Sequence, residues 1–179
     1  MIQSPFRYEA NLTSADFEKL GRLSLRWSHT EHVIANCLKV TLRLTEEEGA
    51  VIVFPLVLEH RIQRIEALRK LKPLSAEADH AFTEYKWAVE MLKPIRNMVA
   101  HALLLNDGKD DQVFESRSKG TAYKKEQIFE TEELTNYAAQ AALVFRYALG
   151  EKDPQGAPDA LPGRPALPGF LRKDNPTHK

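Results

Sequence analysis

The chain has 179 residues, 43% hydrophobic and 28% charged, which suits one globular domain with enough apolar surface to build a core. Its 25 lysines and arginines balance 25 aspartates and glutamates, so whole-chain charge excludes a strongly basic nucleic-acid binder while leaving room for a local basic patch. A single cysteine, Cys37, excludes a disulfide framework and a thiolate zinc site; with no apolar run of spanning length and no signal-peptide layout, no membrane association and a reducing cytoplasm are expected.

The body reads as mostly helical. Capping residues in 11–14 precede Asp16, after which Phe17, Leu20, Leu23, Trp27, Ile34, Leu38 and Thr41 keep helical spacing for some seven turns. A second helix is expected over 50–71, with Leu58, Ile62, Ile65 and Leu68 on its apolar stripe and Arg61, Arg64 and Arg69 off it. Pro55 marks either a kink or the true first turn. Lys72-Pro73 ends that helix, and Ser75 starts a third that runs to about His101. Short runs over 102–105, 112–116 and 123–129, separated by Asn106-Asp107-Gly108 and Lys119-Gly120, predict a small β-hairpin. Thr131-Glu132-Glu133 opens a last helix through Ala148, with Leu134, Ala138, Ala141, Leu143, Phe145 and Leu149 supplying its apolar side. The expected fold is all-α, an antiparallel bundle of four main helices with the hairpin inserted before the last.

Composition changes near Gly150. Residues 151–179 hold Pro154, Pro158, Pro162, Pro165, Pro168 and Pro176, six of the ten prolines, which rules out a continuous helix and predicts a disordered tail. The expected division is a helical domain over 1–150 and a Pro/Gly-rich tail over 151–179. Leu161, Leu167, Phe170 and Leu171 are the exception, apolar enough to dock on a partner or on the domain itself.

The chemistry concentrates in the string from Lys93 to His101 at the end of the third helix. At about 100° per residue, Ala88, Leu92, Ile95, Val99 and Ala102 form the core-facing stripe. Asn97 and His101, four positions apart, share a different face, and Arg96 lies between the two. The sequence here resembles the HEPN superfamily (higher eukaryotes and prokaryotes nucleotide-binding domains), whose motif is an arginine, four to six residues, then a histidine on a late bundle helix. Arg96 and His101 match that R-x4-H spacing, Asn97 matches the polar residue often found after the arginine, and the segment from Trp27-Ser28 to Glu31 is similar to the family's first helix. The resemblance extends over 14–149. It implies a homodimeric endoribonuclease of the toxin or defence type, acting on RNA without metal or cofactor, with two copies of the motif meeting across the dimer interface. A cognate antitoxin or regulatory protein is the partner it implies.

That chemistry suits these residue types. The ribose 2′-hydroxyl can attack the adjacent phosphate, so the protein need only move protons and stabilise a five-coordinate phosphorus. A histidine titrates near neutrality and serves as base or acid. The planar guanidinium of arginine grips phosphate oxygens. Asn97 can orient the imidazole or hold an oxygen without adding charge. Some HEPN toxins carry a tyrosine two residues after the histidine, modified by a partner enzyme; Leu103 stands there, which puts that regulation in doubt.

Glu31 lies on the first helix's apolar stripe between Trp27 and Ile34, and a buried carboxylate calls for a cationic partner. Arg96 is one candidate; another lysine or arginine at the bundle edge is the other. His29 and His32 have a spacing that supplies two metal ligands, but no third or fourth follows in pattern. Arg61, Arg64, Arg69 and Lys70, and Arg117, Lys119, Lys124 and Lys125, form basic edges that track an RNA backbone or simply face solvent. Phosphate-loop, dinucleotide and nucleophile-elbow motifs are absent. Cys37 falls on the buried side of the first helix and reads as packing. Two classes remain open: a dimeric endoribonuclease, or a non-catalytic HEPN-like module that binds protein or nucleotide.

Overall fold

Thr13 opens the first helix as a reciprocal cap. Its hydroxyl accepts from the backbone of Asp16 at 3.2 Å, and the Asp16 carboxylate accepts from the Thr13 backbone at 2.9 Å. The computed structural model describes residues 12–101, 103–106, 112–115, 122–151 and 156–172; of 100, 101, 103–106, 112–115 and 122 it describes the backbone alone. Within these the chain is mostly helical, in the order α1 (Ser14–Leu42), α2 (Glu46–Ile52), α3 (Leu58–Leu71), α4 (Ala76–His101), β1 (Leu103–Asn106), β2 (Gln112–Glu115), β3 (Ala122–Lys124), α5 (Lys125–Phe129) and α6 (Glu132–Ala148). A short 3₁₀ turn, Gly169–Leu171, follows in the C-terminal segment.

The helix expected over 50–71 is two helices. Thr45 and Glu48 form a second capping box that starts α2 earlier, and the chain turns over 53–57 before α3 begins. Pro55 sits in that turn, where its missing N–H and bulky ring cost nothing; inside a helix they would.

Helix α1 carries the packing: α6 and α3 both lie against it, and α4 lies mainly on α6. One apolar cluster gathers Ile34, Leu38, Ile65, Phe82, Tyr85 and Phe145. A second gathers Leu23, Leu92, Ile95, Met98, Leu134 and Tyr137, so the end of α4 is anchored on its inner side. Phe17, expected on the inner stripe of α1, is 57% exposed, one turn outside the packed part of the helix. Where a two-stranded hairpin was expected, the described backbone forms a three-stranded antiparallel sheet in the order β1-β2-β3, with Leu104 opposite Phe114 and Phe114 opposite Tyr123. The run 123–129 divides because the Gln127 side chain accepts from the Lys124 backbone at 2.8 Å and starts a helical turn.

The expectation of a disordered tail is overturned for residues 156–172. Phe170 and Leu171 are buried in the second cluster, and the Phe170 ring meets Tyr123 edge-on at 5.5 Å. Arg164 clamps the carboxylate of Glu84 on α4 with two hydrogen bonds, 2.6 Å from Nε and 2.8 Å from Nη2, and its guanidinium lies 4.5 Å over the Trp87 ring. Tyr137 of α6 donates to the same carboxylate at 2.7 Å. These bonds hold the Glu84 carboxyl at a pKa of about 2 against the opposing effect of burial. Prolines forbid a helix here, but an extended strap needs no helix to bury Phe170 and Leu171, to rest Leu161 and Leu167 against the bundle and to set Arg164 on Glu84. Residues 152–155 and 173–179 lie outside the described part. Among the described residues no helix is long and apolar enough to cross a membrane.

Candidate functional site

Residues of α1 and α4 line a cleft between the two helices. Ser24, Trp27, Ser28 and Glu31 line one wall, and Leu92, Ile95, Arg96 and Val99 the other. Each set follows the i, i+3, i+4, i+7 spacing that puts residues on one helix face. Leu23, Thr131 and Thr135 close the bottom of this cleft, which holds about 170 Å³. A second, wider cleft of about 500 Å³ opens on the other side, toward Val57, Leu58, Glu59 and Lys93. Trp27, Glu31 and Arg96 belong to both, so they form the ridge between them.

The ridge is a hydrogen-bonded unit. Arg96 Nη2 lies 3.3 Å from Glu31 Oε1, the pairing that a sequestered carboxylate on α1 calls for. Trp27 Nε1 donates to that same oxygen from one turn earlier. Arg96 Nη1 donates to the Asn97 side-chain oxygen at 3.1 Å. The Glu31 side chain is 23% exposed and that of Arg96 38%, so Glu31 is half-buried and the Arg96 side chain stays partly open to solvent. Asn97 is exposed at the rim of the wider cleft. His101 is the last residue of α4, and its side chain lies outside the described residues, as do all atoms of Ala102. The structure thus brings together Glu31, Arg96 and Asn97. It places His101 only by its backbone.

Met98, which stands next to Asn97 in sequence, is 4% exposed and packs inward, so it does not contribute to an outer face. Pro94 is exposed within α4, and cannot donate to the carbonyl of Glu90 one turn before it.

Arg61 was expected on a solvated basic edge and is buried instead. Its guanidinium donates to the backbone carbonyl of Glu31 at 3.1 Å and to that of Phe54 at 2.8 Å. It holds α1 at the residue that holds Arg96. Beside it, burial pushes the Tyr85 hydroxyl up, with the Glu31 carboxylate acting in the same direction. Leu58, Arg61, Ile62 and Ile65 share the spacing of one helix face, and that was the signal available in the sequence for the burial of Arg61. The other basic candidates are dispersed: Arg69 bonds Asp79 at 3.2 Å, and Lys125 bonds Asp16 at 3.1 Å. Arg117 and Lys119 lie outside the described residues. His32 stacks on Phe54 with ring centres 5.6 Å apart, and among the described residues no group of three His, Cys, Asp or Glu side chains is placed to hold a metal. Cys37 is fully buried, and burial pushes its thiol up.

Compared with family models, with curated proteins and with solved structures, the chain matches none.

Proposed function

We propose that this chain is a HEPN-like four-helix bundle that acts as a homodimeric, metal-independent endoribonuclease, with Arg96, Asn97 and His101 in its site and Glu31 supporting them. The observation that carries the reading is the partly open side chain of Arg96, braced by Glu31 and Asn97 on the ridge between two clefts. A braced planar fork is preorganised for phosphate oxygens, because its orientation costs little further entropy when the ligand arrives.

In this reading Arg96 stabilises the charge that builds on phosphorus as the 2′-hydroxyl attacks. His101, four residues beyond Asn97 on the same helix face, takes the hydroxyl proton or returns one to the departing 5′-oxygen. The second copy of the chain supplies the other histidine across a two-fold axis. The products are a 2′,3′-cyclic phosphate and a 5′-hydroxyl.

The test is cleavage of single-stranded RNA by the purified full chain in EDTA. His101→Ala and Arg96→Ala should each lower the rate by on the order of a hundredfold to ten-thousandfold, and Arg96→Lys should stay impaired because lysine loses the fork. Sedimentation should give a dimer at micromolar concentration. A wild-type protein that cuts no RNA sinks the catalytic reading. The second reading, a non-catalytic module that binds protein, draws on Val51, Ile52 and Val57, which are 76%, 48% and 58% exposed, with Val57 lining the wider cleft.

A further inference from the structure

We propose that the face of α4 and α6 under the strap is a peptide-binding groove for an extended proline repeat, and that in the dimer it takes this repeat from a second copy of the chain. The inference rests on the homodimer of the proposed function and names the segment that the two copies exchange.

The ligand is written in threes. Leu161-Pro162-Gly163, Arg164-Pro165-Ala166 and Leu167-Pro168-Gly169 each set a large side chain before a proline and a small residue, and Phe170 begins the next step. A polyproline helix turns once in three residues, so Leu161, Arg164, Leu167 and Phe170 share one side. Pro168, at φ −49° and ψ 142°, lies near that conformation. The shared side is the one in contact: Leu161 and Leu167 rest on the apolar clusters, Arg164 holds Glu84, and Phe170 is buried. Gly163, Ala166 and Gly169 are exposed.

The groove has the chemistry to read such a segment. Trp87 of α4 and Tyr137 of α6 stand edge to face with ring centres 5.9 Å apart, and the Glu84 carboxylate bonded to Tyr137 takes the arginine. Aromatic-lined grooves grip proline-rich peptides because the extended form is preset and loses little entropy on binding. Among the described residues no backbone-to-backbone hydrogen bond joins 157–167 to the helices. Side chains hold the segment, as they would a ligand, helped by the Gln140 amide donating to the Asp159 carbonyl at 2.5 Å.

In the single chain the repeat lies in its own groove. Each copy carries one groove and one repeat, so reciprocal exchange leaves neither unfilled and closes on a two-fold axis. The contacts are the same either way, and only the path from α6 to the strap has to change. Gly150 and Gly156 lie on that path at φ 90° and 98°, and nothing packs within 4 Å of where their side chains would stand. Redirecting the backbone at these two glycines breaks no side-chain packing.

The experiment uses full chains. Glu84→Arg sets two cations together and Arg164→Glu two carboxylates, so each variant alone should melt about 5 °C below the wild type. Both changes on one chain restore an opposed pair and should recover most of that loss. The decisive sample is an equimolar mixture of the two single variants, unfolded in urea and refolded together. With exchanged straps, one groove meets the reversed pair and the other the natural pair. The mixture should then reach the midpoint of the doubly changed chain, and native mass spectrometry should find one copy of each. A mixture that melts as the sum of its parts overturns the exchange. The second arm needs no reversed pair and decides the matter should the doubly changed chain not recover. A labelled peptide of residues 158–172 is titrated into the full Arg164→Glu chain, whose own strap is opposed. It should bind about tenfold more tightly than the same peptide carrying Arg164→Glu, and equal or absent binding overturns the groove. RNA plays no part in either arm. A mixture that recovers while no RNA is cut keeps the exchange and drops the nuclease. A nuclease dimer whose mixture does not recover drops the exchange alone.

Discussion

Glu31 on α1 and Arg96 on α4 stand 65 positions apart in the chain and meet at 3.3 Å. Because Trp27 bonds the same carboxylate oxygen, one acidic group ties an aromatic ring and a guanidinium to a common point. Removing Glu31 therefore frees two side chains at once. Arg96 is 38% exposed, so solvent screens the pair, and a Glu31→Gln, Arg96→Ala double-mutant cycle should give a coupling of about 0.5–1 kcal/mol. Urea unfolding of the four proteins measures it. A coupling of zero would mean that the two side chains do not hold each other in solution.

Arg61 should behave as a core residue despite its charge. Arg61→Ala strands the carbonyls of Glu31 and Phe54, and the expected loss is about 2–3 kcal/mol of unfolding free energy. Arg64→Ala, one turn along on an exposed position, should change stability by less than about 0.5 kcal/mol. Similar small effects for both would return Arg61 to the solvated edge.

The Arg164–Glu84 clamp makes stability depend on acidity. The Glu84 carboxyl titrates near 2 in the folded protein, below its ordinary value of 4.5, so the folded state favours the ionised form. That contribution is complete above about pH 5 and is lost as pH falls from there toward 2. Arg164→Ala should cost about 1–2 kcal/mol at pH 7 and much less near pH 2, because the wild-type protein has already lost the advantage there. Unfolding curves at the two pH values check the difference. An equal cost at both would assign the effect of Arg164 to packing on Trp87.

The strap should matter to the whole fold. Phe170→Ala opens a buried site in the second cluster and should cost about 3 kcal/mol. Removing residues 156–179 takes away Leu171 and the clamp as well, and should lower the thermal midpoint by about 10 °C or more. Differential scanning calorimetry reads both, and an unchanged midpoint would mean that the strap is not held.

What was legible in the sequence is what depends on near neighbours. Helical spacing located α1, α4 and α6, and the cost of burying Glu31 called for a cation. Pro55 announced a break, but the start of α2 at Thr45 lay in a capping box that the apolar pattern overshadowed. Arg61 and Glu84 sit on apolar stripes, Arg61 beside Ile62 and Ile65, Glu84 between Ala81 and Ala88; residue type argued for solvent while position argued for burial. The strap was not legible, because proline content describes what a segment does alone. Its anchors, Glu84, Trp87 and Tyr123, are distant in sequence.

The second apolar cluster joins Leu23 of α1 to Phe170 and Leu171 of the strap, more than 140 positions later. During synthesis at about 5–20 residues per second, on the order of ten seconds separates the emergence of α1 from that of the side chains that complete its packing. From the moment α4 is made until the strap follows, the wall that carries Arg96 stands with its inner cluster unfinished. The nascent protein therefore cannot set this site in its final form until the strap has been made, and a ribosome that stops short of the strap releases a product in which the cluster behind Arg96 stays open.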